Sequence, residues 1–358
     1  MATTYSEYNE SEHGHSPLYT REGGTEVHVY NLSKWLVRMG DQVTVHTTRD
    51  TYESRRSLPR VDEIEGIKVI RRNRIWRTSD PIVHLHNLGK LRSTWNLYTT
   101  FVLTLGLRKV VFTPHHSLTI DRGRGATLAA RLMMRGVKVV IAVSDWEKEE
   151  MVRRGVPSYK IRVIPNGVED EAFTFPRERT STSRPYLLFL ARIYRAKRQD
   201  VAIEALQHLP EVELVVAGQV QDREYLQSLK RRASELGLAE RVKFVIDVDQ
   251  RTKYTLIDSS LAVVLTSEVE ADGLAIKEAM ARGKPVIVSN KAALPYLVGP
   301  ENGFVVSDPT ELAEAASKLL HNERLVAEMG ENNAKKALEW KWEAVAKRVR
   351  ALYGELES

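Results

Sequence analysis

Short, β-branched apolar runs alternate with stretches of helical period along this chain, and the alternation runs its course twice. In the first half the runs are Val43–Thr47, Ile67–Ile70, Ile82–Leu85, Val110–Thr113, Val139–Val143 and Ile161–Ile164, with helical spacing over Val29–Met39 and Trp146–Arg154. In the second half they are Tyr186–Leu190, Glu213–Ala217, Val242–Ile246, Leu261–Leu265, Pro285–Val288 and Phe304–Val306, separated by helices such as Gln199–Gln207, Arg223–Leu236 and Leu274–Ala281. Continuous apolar runs of four to eight residues read as strands buried on both faces, and their alternation with helices specifies α/β, doubly wound parallel sheets. A chain of 358 residues exceeds one typical domain, so two are expected. The turn cluster Pro165-Asn166-Gly167 and an acidic connector over Glu169–Arg184 place the boundary: residues 1–168, residues 169–340, and a last helix over 341–358. That helix is expected to pack back on the first domain. In such sheets ligands bind beyond the carboxyl ends of the strands, so the cleft between domains is the expected site.

Charge is shared unevenly. Residues 1–168 carry 26 Lys and Arg against 17 Asp and Glu, whereas residues 169–358 carry 27 against 30. A basic first half suits an anionic partner. Two segments concentrate it: Arg71-Arg72-Asn73-Arg74-Ile75-Trp76-Arg77, and Arg122–Lys138, which mixes basic residues with Leu128, Leu132, Met133 and Met134. The second reads either as a basic amphipathic surface for anionic lipid or as an ordinary helix packed on its sheet. No apolar run approaches the roughly 18 residues of a membrane span, and the polar N-terminus does not resemble a signal peptide, so a cytoplasmic protein is expected, with peripheral membrane association as a hypothesis. The chain contains no cysteine, which excludes disulfides, thiolate metal sites and a cysteine nucleophile.

The segment Thr266–Val286 is the most informative. A buried strand ends at Leu265, a loop carries Glu268, Glu270 and Asp272, and a helix opens near Gly273 with Glu278 in its second turn. Backbone N–H groups at such a helix start suit a diphosphate, and a carboxylate can accept the two hydroxyls of a ribose. A helix with acids near its N-terminus is also common with no function at all.

Glu270 and Glu278, with seven residues between them and followed by Ala279-Met280-Ala281-Arg282-Gly283-Lys284-Pro285-Val286, closely resemble the E-x7-E segment of retaining GT-B glycosyltransferases of the family 4 type (glycosyl transferases group 1). Other segments fit that family in order: Gly23-Gly24-Thr25-Glu26-Val27-His28-Val29, Val83-His84-Leu85-His86-Asn87, Thr113-Pro114-His115, Ile164-Pro165-Asn166-Gly167-Val168, and Leu190-Ala191-Arg192 with Lys197. The resemblance covers nearly the whole chain. It implies a GT-B architecture of two Rossmann-like domains, with acceptor bound by the first and nucleotide-sugar donor by the second. It implies a retaining hexosyltransferase using a UDP- or GDP-hexose, with no cofactor and no metal, and a glycan or lipid as acceptor. Arg192 and Lys197 would neutralise the departing diphosphate, Glu270 would hold the sugar, Glu278 the ribose, and Gly273 and Leu274 would offer amides. Gly23 and Gly24 would let backbone approach the donor or acceptor, and His115 would contact the sugar or reaction centre; His116 has no assigned role.

The sequence departs from the family pattern at Ala191, Ala271 and Asp272, and an acid at Asp272 is expected either to bind a sugar hydroxyl or to repel phosphate. The first strand, over Ala2–Tyr5, is weakly apolar, and the loop Asn9–Glu22 carries Glu12, His13 and His15. Asp247-Val248-Asp249 spells D-x-D, a short motif that also arises by chance. Competing expectations are a sugar-nucleotide epimerase or hydrolase on the same plan and a non-catalytic nucleotide-sugar-binding protein. A dinucleotide oxidoreductase is disfavoured because no G-x-G-x-x-G follows an early strand, and the basic half alone does not argue for nucleic acid.

Overall fold

The computed structural model describes residues 24–47, 59–71, 80–86, 109–115 and 136–357. The expectations on Gly23, His116, the first strand, the loop 9–22, residues 72–77 and residues 122–135 lie outside them. The chain divides into two compact units, residues 1–167 with 342–358, and residues 168–341.

In the first unit, strands β1 (Thr44–Thr47), β2 (Val61–Ile64) and β3 (Ile67–Arg71) pair in the order β1-β3-β2. Strands β4 (Ile82–His86), β5 (Lys109–Thr113), β6 (Val139–Ala142) and β7 (Ile161–Val163) form a parallel set in that order. One departure from the expected all-parallel plan is β2, which runs antiparallel to β3. Its turn, Glu65-Gly66, has φ of 50° and 78°, the paired left-handed geometry of a type I′ hairpin, where glycine is favoured. Both faces of the four-stranded set are covered, as the continuous apolar runs require. Val83, Val110, Phe112 and Val140 pack with Met151 of helix Asp145–Arg153 on one face. On the other, Val111, Val139 and Ile141 pack under Leu32 and Leu36 of helix Gly24–Arg38 and Trp342, Val345 and Val349 of helix Trp342–Glu357. Ser144 caps helix Asp145–Arg153: Glu147 N donates to Ser144 Oγ, and the Glu147 carboxylate reaches back past the cap to accept from Val143 N.

Alternation along β4 puts His84 and His86 on the face shared with the two long helices. His84 is saturated, with Nδ1 2.6 Å from the Tyr353 hydroxyl of the C-terminal helix and Nε2 2.7 Å from Thr113 Oγ1. Burial first, and then neighbouring histidines, push both His84 and His86 well below the ordinary imidazole pKa.

In the second unit, strands β8 (Tyr186–Leu190), β9 (Glu213–Ala217), β10 (Val242–Val245), β11 (Ala262–Leu265), β12 (Val286–Ser289) and β13 (Gly303–Val306) form one fully parallel sheet in the order β10-β9-β8-β11-β12-β13. Every residue of β8, β9, β11 and β12 is buried. The order grows outward from β8 through β9 to β10, then returns to place β11 on the other side of β8. That reversal is the topological switch point of a doubly wound sheet. The expected connector Glu169–Arg184 is held to this unit, not left as a link: the fully buried Arg282 guanidinium binds Asp258 and donates from Nη1 to Phe175 O at 2.7 Å and from Nη2 to Pro176 O at 3.1 Å.

Removing one partner of that buried pair leaves the other charge uncompensated, so Arg282→Ala is expected to cost about 3–5 kcal/mol of stability, read as a lower urea midpoint. A pH effect is also expected in the first unit. The unfolded chain takes up protons on His84 and His86 near its ordinary pKa of about 6.5, whereas the folded chain does not, so stability is full above that pH and is lost as the pH falls below it. The loss is at most about 1.4 kcal/mol per pH unit per histidine, and thermal melts between pH 7 and 5.5 should show a shallower fall in His86→Gln than in the parent chain.

Candidate active site

The loops that leave β8 and β11 carry the second unit's candidate residues, because the sheet order makes these two strands neighbours. After β8 the chain passes through Ala191, Arg192 and Tyr194 into a single 3-10 turn, Arg195–Lys197, and then Arg198 at φ 54° starts helix Gln199–Ala205. After β11 it passes through Thr266–Asp272 to Gly273 at φ 68°, the left-handed N-cap of helix Leu274–Ala281. A side chain at Gly273 would be strained there, and its Cβ would stand 2.9 Å from Leu297 Cδ1. The N-cap makes no side-chain hydrogen bond.

The two loops are joined along their length. Glu268 N donates to Ala196 O at 2.9 Å, Thr266 Oγ1 donates to Arg198 O at 2.6 Å, and Arg198 Nη1 donates to Glu268 Oε1 at 2.8 Å. At the centre the Lys197 ammonium is paired with the Glu270 carboxylate, with side chains only 10% and 17% exposed. The ammonium is therefore fixed by a carboxylate, not by water. Arg192 differs: it is exposed, and its guanidinium lies over the Tyr194 ring at 5.7 Å. Arg192 and Arg195 are thus exposed to solvent, whereas Lys197 is buried.

Glu278 sits in the second turn of helix Leu274–Ala281, and its Oε1 accepts from Lys253 Nζ at 2.7 Å. Lys253 also lies 3.7 Å from Glu169. Burial acts to lower the Lys253 pKa, but Glu278 and Glu169 outweigh it and hold the pKa above the ordinary lysine value. Sequence reasoning missed both partners. Lys253 lies on another helix and Glu169 in the connector, and only the tertiary fold brings them to Glu278. Asp272, one of the departures from the family pattern, is buried, and one of its carboxylate oxygens is paired with the fully buried Lys277 of the helix that follows. Burial lowers the Lys277 pKa despite Asp272, and its ammonium lies 5.2 Å from the Trp340 ring centroid. In the D-x-D motif, Asp249 is a helix cap, accepting from Thr252 N at 2.6 Å.

In the first unit, Gly24 opens helix Gly24–Arg38, and His115 follows β5 at φ 57°, a left-handed conformation uncommon for a side chain of this size. Its Nε2 lies 3.0 Å from His86 Nδ1, and its ring meets His28 edge-on at 4.5 Å between centroids. His28 Nδ1 is 2.7 Å from Asn166 Oδ1, a contact between residues 138 apart in sequence. His28 and Asn166 belong to recognised segments, but nothing local signals that they meet. The expected residues that are described therefore fall into two groups: Arg192, Lys197, Glu270, Gly273, Leu274 and Glu278 around the switch point of the second unit, and Gly24 and His115 in the first.

Among the described residues no helix is long and apolar enough to cross a membrane. Residues 170–336 match the glycosyl transferases group 1 family, and residues 22–172 match glycosyltransferase family 4. The chain is 27% identical to the D-inositol 3-phosphate glycosyltransferase of Xylanimonas cellulosilytica over 93% of its own length and 92% of that protein's. It shares its fold with the sucrose-phosphate synthase of Thermosynechococcus elongatus (TM-score 0.74, 22% identity, covering 93% of this chain and 94% of that one). It shares it also with Anabaena HepE, solved in complex with UDP and glucose (TM-score 0.72, 19% identity, covering 93% and 96%). With adjoining matches that together run from residue 22 to residue 336, on two parallel-sheet α/β units, the chain belongs to the GT-B glycosyltransferases of the family 4, group 1 type.

Proposed function

We propose that this glycosyltransferase is a retaining, metal-independent hexosyltransferase that takes a UDP- or GDP-hexose and passes the sugar to a hydroxyl of an anionic acceptor, a phosphorylated polyol or a lipid-linked glycan. The observation that carries the reading is the buried Lys197–Glu270 pair at the switch point, a fixed cation and a fixed hydrogen-bond acceptor side by side. In the reaction, negative charge grows on the diphosphate oxygen as the bond to the sugar breaks. Lys197 and Arg192 neutralise it, which is where positioned charge contributes most. Glu270 accepts from sugar hydroxyls, Glu278 from the ribose, and the amides of Gly273 and Leu274 meet phosphate or sugar oxygens. The acceptor hydroxyl attacks from the face the diphosphate leaves, and its proton passes to the departing phosphate, so the chain supplies positioning and electrostatics without a covalent nucleophile. His115 contacts the sugar. The charge of residues 1–168 and the phosphorylated compounds named for two similar proteins support an anionic acceptor. Membrane association through the basic first half remains part of the proposal, tested by co-sedimentation with anionic vesicles at low salt.

The test is a donor screen by calorimetry and nucleotide release over UDP-, GDP- and ADP-hexoses, with and without acceptor. One nucleotide sugar should bind, with release that rises on adding acceptor and a product that keeps the donor's anomeric configuration by NMR. Release without acceptor would instead mark an epimerase or hydrolase, and binding without turnover a non-catalytic protein. Glu278→Ala should weaken donor binding about 10- to 100-fold, the loss expected for one or two hydrogen bonds to a charged group. Lys197→Ala should lower kcat by about 10²–10³ while donor affinity falls less, because its charge acts mainly on the transition state.

A further inference from the structure

We propose that His28, His86 and His115 form a binding site for one divalent cation of the zinc class. The three rings come from three separate places, helix Gly24–Arg38, strand β4 and the turn after β5, yet one ligand nitrogen from each lies within 4.8 Å of the others. Three nitrogens each about 2.05 Å from a tetrahedral ion stand roughly 3.3 Å apart. His86 Nδ1 and His115 Nε2 already lie at 3.0 Å, so one edge of that figure exists and the His28 ring has to close by about an ångström or more. His28 is oriented for it: its Nδ1 is engaged by Asn166 Oδ1 at 2.7 Å, which fixes the tautomer and leaves Nε2 as the ligand atom, as an outer-shell carbonyl does in metal sites.

One further observation favours an ion over a purely structural cluster. His115 is held at φ 57°, and a backbone conformation of this kind persists where the surroundings require the side chain to stay in place. His84, by contrast, has both ring nitrogens occupied by Tyr353 and Thr113 and takes no part. An all-imidazole set selects zinc, copper or nickel over magnesium or calcium, which prefer oxygen. With His28 and His86 buried and His115 half-buried, three protein ligands leave a fourth position for water or another ligand. The cation is not a participant in sugar transfer. On the reading above, in which His115 contacts the sugar, its occupancy withdraws His115 and lowers transfer.

The test begins without any substrate. Metal-free full-length protein is titrated with zinc by calorimetry and with Co²⁺ by visible spectroscopy. One saturable equivalent, with the intense d–d bands of a four-coordinate nitrogen-ligated Co²⁺, is expected in the parent chain. The equivalent should vanish in His86→Ala and in the half-exposed His115→Ala, and Asn166→Ala should weaken binding about 10- to 100-fold. A His13→Ala, His15→Ala, His116→Ala triple variant and a His208→Ala, His321→Ala double variant should keep it. Metal-free melting curves report whether each variant folds, and His115→Ala decides if His86→Ala does not. No saturable equivalent in the parent chain, or one that survives in folded His115→Ala, overturns the site. Magnesium should compete poorly. If zinc binds there yet donor turnover is unaffected at saturation, the link to transfer is overturned while the site stands; if the chain shows no transferase activity, the binding measurement is untouched.

Discussion

The pairing of Lys197 with Glu270 depends on a single topological fact: β8 and β11 are neighbours although β9 and β10 lie between them in sequence. A lysine whose side chain is only 10% exposed needs an opposing charge, and the loop beyond the adjacent strand supplies it in Glu270. The hydrogen bonds from Glu268 N to Ala196 O and from Thr266 Oγ1 to Arg198 O hold that loop in register with its partner. Each contact alone is modest, on the order of 1 kcal/mol, but together they remove the freedom by which the two charges could drift apart. The result is a charge arrangement set before any ligand arrives, the condition under which electrostatics contribute most to a reaction.

What the sequence disclosed follows from how local each feature is. Strands such as Tyr186–Leu190 and helices such as Leu274–Ala281 were legible because burial on both faces writes an uninterrupted apolar run and a helix writes its own period. Strand β2 was not, since Val61-Asp62-Glu63-Ile64 has only two apolar residues, one of them exposed, and its place comes from the Glu65-Gly66 turn. The break between units was legible at the Pro165-Asn166-Gly167 cluster, but the tie of Phe175 and Pro176 to Arg282 was not, because a guanidinium reaching two carbonyls across about a hundred residues leaves no local trace. In the site, Glu270, Glu278 and Lys197 were readable only as members of a spaced pattern. Lys253 belonged to no pattern, and the pairing of Asp272 with Lys277, five residues on, was not foreseen either.

Four histidines of the first unit, His28, His84, His86 and His115, show the same limit from another side. Two lie on one strand at the spacing that puts both on one face, which the sequence states outright. The other two arrive from a helix and from the end of a neighbouring parallel strand, and Asn166 comes from the chain's exit toward the second unit. Parallel strands gather their carboxyl ends at one edge, so residues after β4 and β5 converge whatever their sequence separation. The cost falls on His84 and His86, buried imidazoles that resist protonation, and is offset by the apolar packing of the long helices beneath them.

Lys197 and Arg192 then have different physical roles in the proposed reaction. Lys197 is immobile and already neutralised by Glu270, so its contribution requires no ordering when substrate binds, only a redistribution of its hydrogen bonds toward the incoming phosphate. Arg192 is exposed and rests on Tyr194, so engaging a diphosphate means freezing a rotamer-rich side chain at up to about 2 kcal/mol. That cost is recovered through bidentate, charge-assisted hydrogen bonds, which a guanidinium forms with phosphate and an ammonium does not. An arginine recruited on binding therefore serves to discriminate diphosphates from other anions, whereas the pre-fixed lysine serves the charge that develops as the bond breaks. In the proposed reaction this division follows from burial: of two cations five residues apart, Lys197 is buried and Arg192 exposed.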